Sequence, residues 1–212
     1  FSLIVDQAYM NYENLSGFRL IIPIILFSFQ IYADFAGYSL IALGLAKFFG
    51  IDLMINFKSP YTSSTLTEFW GRWHISLSSW FKDYLYFPLG GNRGGRFKAG
   101  KNLLIVFLVS GLWHGAAFTF LIWGLIHAII IIIEKQITLP APKNSFFKRI
   151  SLIIRNIFIF TIVTIAWVFF RAQDFEQAIS ILKRSTIDLK NQLRDIAWMF
   201  KSFISGNNDV NL

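Results

Sequence analysis

The chain has 212 residues, of which 55% are hydrophobic, 18% are aromatic and only 15% are charged. Soluble globular domains carry about 25% charged residues, so this composition excludes an ordinary soluble domain and indicates a membrane protein. The net charge is +8 and the chain has no cysteine, which excludes a disulfide framework, a thiolate nucleophile and a thiolate metal site. Because residue 1 is Phe and no signal-peptide pattern opens the chain, we expect a fragment of a longer protein.

The basic residues lie beside apolar runs, and this position argues against a nucleic-acid partner. A basic domain can be the electrostatic footprint of phosphate binding. Here, however, one group of cations lies in a Gly-rich stretch and another flanks the later apolar runs, as in loops on the cytoplasmic side of a membrane. The two groups are Arg93, Arg96, Lys98 and Lys101, and Lys135, Lys143, Lys148 and Arg149.

The first apolar run extends from Leu20 to Ala46 and contains Asp34 as its only formal charge. A helix needs about 20 apolar residues to cross the hydrocarbon core, so these 27 residues are too many for one untilted crossing. We therefore predict a spanning helix followed by a break or bend between Asp34 and Gly37. Asp34 is a candidate for an ion pair that orients a helix, or for the lining of a polar path.

The next segment predicts one amphipathic helix. Thr65 is followed by Glu68, which is the spacing of a capping box, and apolar residues then recur with a 3.6-residue period as far as Tyr84. A helix of this kind lies in the membrane interface or lines a funnel. The turn that follows, residues 90–96, lacks the Gly-Lys-Ser/Thr ending of a phosphate-binding loop. We interpret it as a solvated basic turn, although its two arginines leave phosphate binding open.

The second apolar run, Leu103 to Ile133, has no formal charge and has basic groups on both sides. If both basic groups face the cytoplasm, the chain must enter the membrane and return to the same side within these 31 residues. Each limb then has about 15 residues and a length of about 22 Å. This interpretation places a turn at Ser110 to Gly115 inside the membrane, where irregular backbone must be buried in protein or line a wet cavity. One long tilted helix fits the sequence equally well.

A third apolar run, from Asn156 to Phe170, completes a predicted all-α fold: a polytopic membrane helical bundle with interfacial amphipathic and broken or re-entrant helices. After it the composition changes to a neutral tail with two amphipathic stripes. We therefore divide the chain into a membrane-embedded core, 1–171, and a surface segment, 172–212. The stripes are Phe175, Ala178, Ile179 and Leu182, and Leu189, Leu193, Ile196, Ala197 and Phe200.

The three histidines are the candidates for acid–base chemistry at neutral pH. His74, His114 and His127 lack the His-x-x-x-His spacing of a metal site, so we predict no metal. His114 lies between Gly111 and Gly115 at bilayer depth, where an ionisable side chain is costly and indicates a function; a structural histidine bonded to a backbone carbonyl fits as well. His74 fits a cavity edge or the headgroup layer, and His127 fits an interhelical hydrogen bond.

Three separated motifs give the chain a family resemblance. They are Phe69-Trp70-Gly71-Arg72-Trp73-His74-Ile75-Ser76-Leu77-Ser78, then Asp83-Tyr84-Leu85-Tyr86-Phe87-Pro88-Leu89-Gly90-Gly91-Asn92-Arg93, then Gly111-Leu112-Trp113-His114-Gly115. In this order they resemble the membrane-bound O-acyltransferases, and within them the bacterial alginate O-acetyltransferase branch, which includes peptidoglycan O-acetylation proteins. The resemblance covers residues 18–185 and implies a much larger parent, of which this chain is the C-terminal half.

The resemblance implies roles for individual residues. His114 matches the family's catalytic histidine, and His74 matches a second motif position whose role is orientation or oxyanion stabilisation. The family's active site lies in a tunnel through the membrane, which favours the broken hairpin around His114. This sequence has Gly71 at a position where the branch commonly has an arginine. Any role that this arginine plays in the family is therefore in doubt here. Substrate-binding candidates come from the same motifs and are Trp70, Trp73, Ser78, Asp83, Asn92, Arg93 and Trp113.

The activity that the resemblance implies is O-acyl transfer, with acetyl as the expected group. No tightly bound cofactor is expected; the donor is a cytoplasmic thioester, either acetyl-CoA or an acyl carrier. The acceptor is a hydroxyl of an extracytoplasmic polysaccharide such as alginate or peptidoglycan. The implied partners are an extracytoplasmic esterase-like protein and the lipid bilayer of the bacterial inner membrane. A teichoic-acid D-alanine transfer protein is an alternative with the same chemistry, and a non-catalytic channel or transporter subunit is an alternative without it.

Overall fold

The computed structural model describes residues 1–137 and 144–194, and within these ranges the fold is all-α and contains no strand. The predicted fold class is confirmed. The helices are α1 (Ser2–Met10), α2 (Phe18–Phe48), α3 (Leu66–Trp70), α4 (Ile75–Phe81), α5 (Gly95–His114), α6 (Phe118–Gln136), α7 (Ser145–Arg171) and α8 (Phe175–Ser185), with 3₁₀ turns at Tyr12–Asn14 and Pro60–Thr62 and a π-helical turn at Lys82–Tyr86. By length and composition, α2, α6 and α7 can each cross a membrane.

The helix α2 runs without interruption for 31 residues, so the break predicted between Asp34 and Gly37 is wrong. A helix of this length extends about 46 Å, and tilting accommodates the excess over the hydrocarbon core. A glycine inside a helix costs only about 1 kcal/mol relative to alanine. The helix therefore continues through Gly37 with its backbone hydrogen bonds intact. Asp34 is exposed and forms no ion pair among the described residues.

The helices α5 and α6 form a hairpin, which is one of the two interpretations that the sequence allowed. The chain leaves α5 after His114 and starts α6 at Phe118, so one long helix is excluded. A Cβ on Gly111 would lie 2.4 Å from the carbonyl oxygen of Phe120, and only glycine permits this approach. The limbs have 20 and 19 residues, longer than predicted, because α5 begins at Gly95 and includes most of the first basic group.

The amphipathic helix predicted from Thr65 to Tyr84 is divided into α3, α4 and the π-helical turn. Its predicted N-cap is confirmed, because Thr65 Oγ1 accepts a hydrogen bond from the Glu68 N–H at 3.0 Å. The helix breaks after Trp70, where residues 71–74 form a turn. A period of apolar residues does not reveal such a break, since Phe69 and Phe81 are both buried, one on each side of it.

The core is aromatic and lies where α3, α6 and α7 meet. Trp123 and Trp167 stack with their ring centroids 5.9 Å apart, and both are at most 2% exposed. Inside the bundle a hydroxyl pair, Ser28 and Thr164, joins α2 to α7 at 3.0 Å. These buried contacts hold α2 and α6 against α7.

The helix α8 contains the first predicted amphipathic stripe, but its buried face is different. Ala178 is fully buried as predicted, whereas Ile179 and Leu182 are half-buried and Phe175 is exposed. Ile181, which lies outside the predicted stripe, is fully buried. Two side chains bond α8 to the N-terminal segment: Gln177 Nε2 donates to the Tyr9 carbonyl at 3.0 Å, and Arg184 Nε donates to the Tyr12 carbonyl at 3.0 Å. Part of the second stripe lies outside the described residues. The division of the chain at residue 171 stays a prediction.

Candidate active site

The short helix α3 is stabilised at its N-terminus by two carboxylates. Glu68 accepts a hydrogen bond from the Ser64 N–H at 2.7 Å, one residue before the N–H of the N-cap Thr65 that a regular capping box engages. Glu134, near the C-terminal end of α6, accepts the N–H groups of Leu66 and Thr67. A helix of five residues is unstable by itself, so Glu134 both caps α3 and binds it to α6.

The other end of α3 is also joined to α6. Trp70 Nε1 donates a hydrogen bond to His127 Nδ1 at 3.3 Å, which confirms the predicted interhelical hydrogen bond of His127. The His127 side chain is fully buried, and its ring centroid lies 5.0 Å from that of Trp123. Because Nδ1 accepts, the neutral ring carries its proton on Nε2. His127 is therefore part of the support of the turn after α3.

His74 occupies the last position of the turn between α3 and α4, with a left-handed backbone at φ 42° and ψ 56°. Such a conformation costs a non-glycine residue of order 1–3 kcal/mol. Asn56, in the preceding extended segment, offsets this cost. Its carbonyl accepts from the Ile75 N–H at 3.0 Å, and its Oδ1 accepts from the N–H and the hydroxyl of Ser76 at 3.1 and 2.6 Å. Asn56 thus caps α4 in place of the His74 side chain.

Capping by Asn56 leaves the imidazole of His74 available for other contacts. Its ring centroid lies 4.5 Å from that of Phe35, edge to face, and 6.5 Å from that of Trp113. His74 lies outside the membrane-spanning helices. Burial, and then the positive charge of a protonated His114, lower the pKa of His74 to about 4. At pH 7 this imidazole is neutral and offers one donor and one acceptor.

His114 is the last residue of α5 and stands beside the break of the hairpin. Aromatic side chains from three helices surround its ring. The centroid distances are 4.9 Å to Trp113, 5.1 Å to Phe170 of α7 and 5.2 Å to Trp123 of α6. Aromatic packing therefore sets the position of this imidazole, in contrast to the hydrogen bonds that set the backbone of His74.

The structure brings together the two histidines that the sequence predicts to be catalytic. Their positions are 40 residues apart in the chain, yet both rings lie near the indole of Trp113. Two imidazoles in one place can act on one reacting group, one as a proton acceptor and the other as a hydrogen-bond donor. Each imidazole lies at a helix end, where the backbone leaves the regular helical path.

A cavity of about 470 Å³ lies between α4 and the hairpin, and its lining includes neither histidine but residues close to both in the chain. Its wall includes Ile75 and Ser78, which follow His74, and Ser110, one turn before His114. Three predicted substrate-binding residues, Trp70, Ser78 and Asn92, line it, together with Thr67, Gly71, Leu77, Ser79, Phe81, Lys82, Tyr86, Phe87, Leu103, Val106, Phe107, Ile131 and Lys135. The cavity is mostly apolar, and its cations are two lysines.

A second cavity of about 280 Å³ adjoins the first, with which it shares Asn92, Leu103 and Lys135. It adds the guanidinium of Arg96. The shared asparagine is held by the Tyr86 hydroxyl, which donates to Asn92 Oδ1 at 2.7 Å. The two cavities meet at these shared residues, and the second adds a third cation to the two lysines of the first.

The remaining predicted substrate-binding residues lie outside both cavities. Trp73 is 4% exposed and packs in the aromatic core, with its ring centroid 5.2 Å from that of Trp167. Asp83 and Arg93 are exposed at the surface. Trp113 is exposed as well, and it contacts both histidines instead of the cavity.

Sequence reasoning missed two residues that support the turn bearing His74, namely Asn56 and Glu134. Each accepts hydrogen bonds from backbone N–H groups at the start of a helix that is distant from it in the sequence. A single polar residue beside an apolar run gives no indication in the sequence that it makes such a contact. Among the described residues, no group of three His, Asp or Glu side chains is placed to hold a metal ion.

Comparison with known proteins identifies the family of this chain. The model of the membrane-bound O-acyltransferase family matches residues 3–172. The peptidoglycan O-acetyltransferase of Helicobacter pylori is 43% identical over 178 residues, which are 84% of this chain and 33% of that protein. The probable alginate O-acetylase AlgI of Azotobacter vinelandii is 46% identical over 149 residues, which are 70% of this chain and 29% of that protein.

A teichoic acid D-alanyltransferase, from Streptococcus thermophilus, is more distant: it is 32% identical over 151 residues, which are 61% of this chain and 36% of that protein. The chain spans about a third of the length of the curated relatives it matches, which is less than the half that the resemblance implied.

Proposed function

Because the chain belongs to the membrane-bound O-acyltransferase family, we propose that it is part of a membrane enzyme that transfers an acetyl group from a thioester to hydroxyls of an extracytoplasmic polysaccharide. The observation that carries this proposal is the meeting of His74 and His114 at Trp113, with a cavity lined by residues close to both in the chain. The names of the relatives, peptidoglycan O-acetyltransferase and alginate O-acetylase, support acetyl as the group and a polysaccharide as the acceptor.

In the proposed reaction His114 is the general base. Its neutral ring takes the proton of the acceptor hydroxyl while that oxygen attacks the carbonyl carbon of the thioester. The new C–O bond forms, the C–S bond then breaks, and the imidazolium returns the proton to the departing sulfur. General-base catalysis of this kind contributes typically about 10²- to 10⁴-fold.

His74 is proposed to stabilise the negative charge that develops on the carbonyl oxygen. A neutral imidazole donates one N–H bond, and the pKa of His74, lowered to about 4, leaves it neutral at pH 7. One well-placed donor of this type is worth about 10²- to 10³-fold in rate. The left-handed backbone held by Asn56 supports this role, because a donor must be fixed before the charge appears.

The cavities suggest where the thioester binds. A slender apolar arm fits the 470 Å³ cavity, and an anionic head group fits beside Lys82, Lys135 and Arg96. Acetyl-CoA and a phosphopantetheine acyl carrier both have this form. We propose that the donor enters from the cytoplasm, that the protein resides in the bacterial inner membrane, and that an extracytoplasmic esterase-like protein receives or passes on the acetyl group.

Acetyl transfer by the full-length protein in proteoliposomes tests the proposal. With a radiolabelled acetyl thioester and an oligosaccharide acceptor, we expect His114→Ala to lower the rate at least about 10²-fold while the amount of protein in the membrane is unchanged. Retention of acetyl transfer in His114→Ala contradicts the assignment. A D-alanyl thioester is the matched donor control: transfer of D-alanine in preference to acetyl identifies the teichoic-acid chemistry, and transfer of neither supports a non-catalytic protein.

A further inference from the structure

The turn between α4 and α5 exposes cations and aromatic rings on one surface, here called the basic turn surface. Its cations outnumber its carboxylates by five to one, because Asp83 is the only acidic residue from position 80 to position 101. No ion pair neutralises these cations within the described ranges 1–137 and 144–194. The surface consists of Lys82, Arg93, Arg96, Lys98 and Lys101, with Trp80, Tyr84, Phe87 and Phe97.

The aromatic members of this surface are exposed. The side chain of Phe97 is 89% exposed and that of Tyr84 is 68% exposed. The rings of Trp80 and Tyr84 stack with a centroid distance of 5.3 Å, and the Lys82 ammonium lies 5.5 Å from the Phe87 ring centroid. Large exposed apolar groups mark an interaction site, and aromatic rings mixed with cations are typical of the layer between hydrocarbon and headgroups.

The backbone of the turn holds this surface in one shape. Asn102, which is 3% exposed, donates to the carbonyls of Leu89 and Gly91 at 3.2 and 2.9 Å. The Lys98 side chain folds back over the turn, so that a Cβ on Gly94 would lie 2.8 Å from Lys98 Cδ. The cations are therefore presented together by a hydrogen-bonded turn.

We propose that the basic turn surface binds the anionic phospholipid headgroups of the membrane in which the hairpin sits. Its position supports this occupant, because α5 leaves the turn at Gly95 and runs directly into the hairpin with α6. Charge complementarity supports it as well, since each Lys or Arg close to an anionic bilayer surface strengthens binding about fivefold. The proposal does not depend on the acyl-transfer reaction.

A fluorescent dye at the edge of this surface provides the test. Phe97→Cys is made in the full-length protein, in a background without other cysteines, and labelled in nanodiscs that contain either spin-labelled phosphatidylglycerol or spin-labelled phosphatidylcholine as a quencher. At 50 mM salt we expect at least about threefold more quenching by the anionic lipid, because several cations act together. At 1 M salt, where the Debye length is about 3 Å, the difference should disappear. Equal quenching by both lipids at 50 mM salt overturns the proposal.

Two charge variants locate the effect. Arg93→Gln, Lys98→Gln and Lys101→Gln together should abolish the lipid preference. Lys183→Gln, Lys190→Gln and Arg194→Gln remove the same charge from an exposed region elsewhere and should preserve it. A preference that survives the first triple variant overturns the assignment to this surface. If that variant does not fold, the salt dependence of the protein with only the labelled cysteine still decides between the outcomes.

Arg96 and Lys82 also line the cavities, so phosphates of a soluble donor are the competing source of anionic contacts. Adenosine 3′,5′-bisphosphate added at millimolar concentration should leave the quenching by phosphatidylglycerol unchanged. If the bisphosphate abolishes the quenching by phosphatidylglycerol, the surface binds a soluble nucleotide and the proposal is overturned.

Discussion

The two histidine-bearing segments are held in place by different forces. His74 depends on polar contacts: Asn56 bonds the turn directly, and Glu134 fixes the start of the preceding helix. His114 depends on steric contact, since Gly111 lets α5 lie against the backbone of α6 and aromatic rings enclose the imidazole. One segment should therefore respond to lost hydrogen-bond acceptors, and the other to added volume.

The largest effect should come from added volume near His114. In Gly111→Ala the new methyl group would lie 2.4 Å from the Phe120 carbonyl oxygen, so α5 and α6 must separate and the ring must move. Overpacking of this kind costs about 1–3 kcal/mol. We expect acetyl transfer to fall at least about tenfold and the midpoint of thermal unfolding to fall, as measured in detergent by an aggregation assay.

Gly100→Ala is the matched control on the same helix pair. A methyl group there would meet Ile132 at 3.6 Å, which is ordinary van der Waals contact, and alanine is the better helix former by about 1 kcal/mol. Activity and thermal midpoint should be kept or slightly raised. Equal losses in the two variants would show that the distance between the helix backbones near His114 is not what matters.

An intermediate effect is expected from the polar support of His74. Asn56→Ala removes the oxygen that accepts two hydrogen bonds from Ser76, and the loss of such a cap typically costs about 1 kcal/mol. The left-handed turn should relax and shift the imidazole of His74. We expect kcat to fall about tenfold with KM for the donor little changed.

Asn56→Asp distinguishes positioning from a general loss of folding. Aspartate keeps an acceptor oxygen at the position of Asn56 Oδ1, so most of kcat should return in this variant. If Asn56→Asp is as impaired as Asn56→Ala while both are present in the membrane at normal levels, acceptance of the Ser76 hydrogen bonds is not the function of this side chain.

The smallest effect is expected at Gly71, which lies in the same turn as His74. Its backbone is helical, with φ −72° and ψ −13°, and a Cβ would lie 3.4 Å from the Glu68 carbonyl oxygen. Nothing in this geometry requires glycine. Gly71→Arg, which restores the residue that the resemblance leads one to expect, should change the rate of acetyl transfer by less than about threefold. A tenfold loss would show that the cavity wall at Gly71 must remain open.

The sequence predicted much of the fold and the two histidines, but not their supports. Apolar runs revealed α6 and α7, and the spacing of Thr65 and Glu68 revealed the start of α3, because these signals are local. The predicted break in α2 was wrong, since an aspartate and a glycine in an apolar helix lower its stability without ending it. The break at His74 was not predicted, because the apolar period continues across it.

By itself the sequence determined that the protein belongs in a membrane, that its α5–α6 run contains glycines able to break it, and that three histidines are its candidates for acid–base chemistry. Only the tertiary structure decided that α5 and α6 are separate helices in contact at Gly111, that His74 lies beside Trp113, and that Asn56 and Glu134 hold the turn. The reason is physical. Hydropathy and capping act between neighbours in the chain, whereas a left-handed turn and a glycine contact are stabilised by groups that approach only when the helices pack.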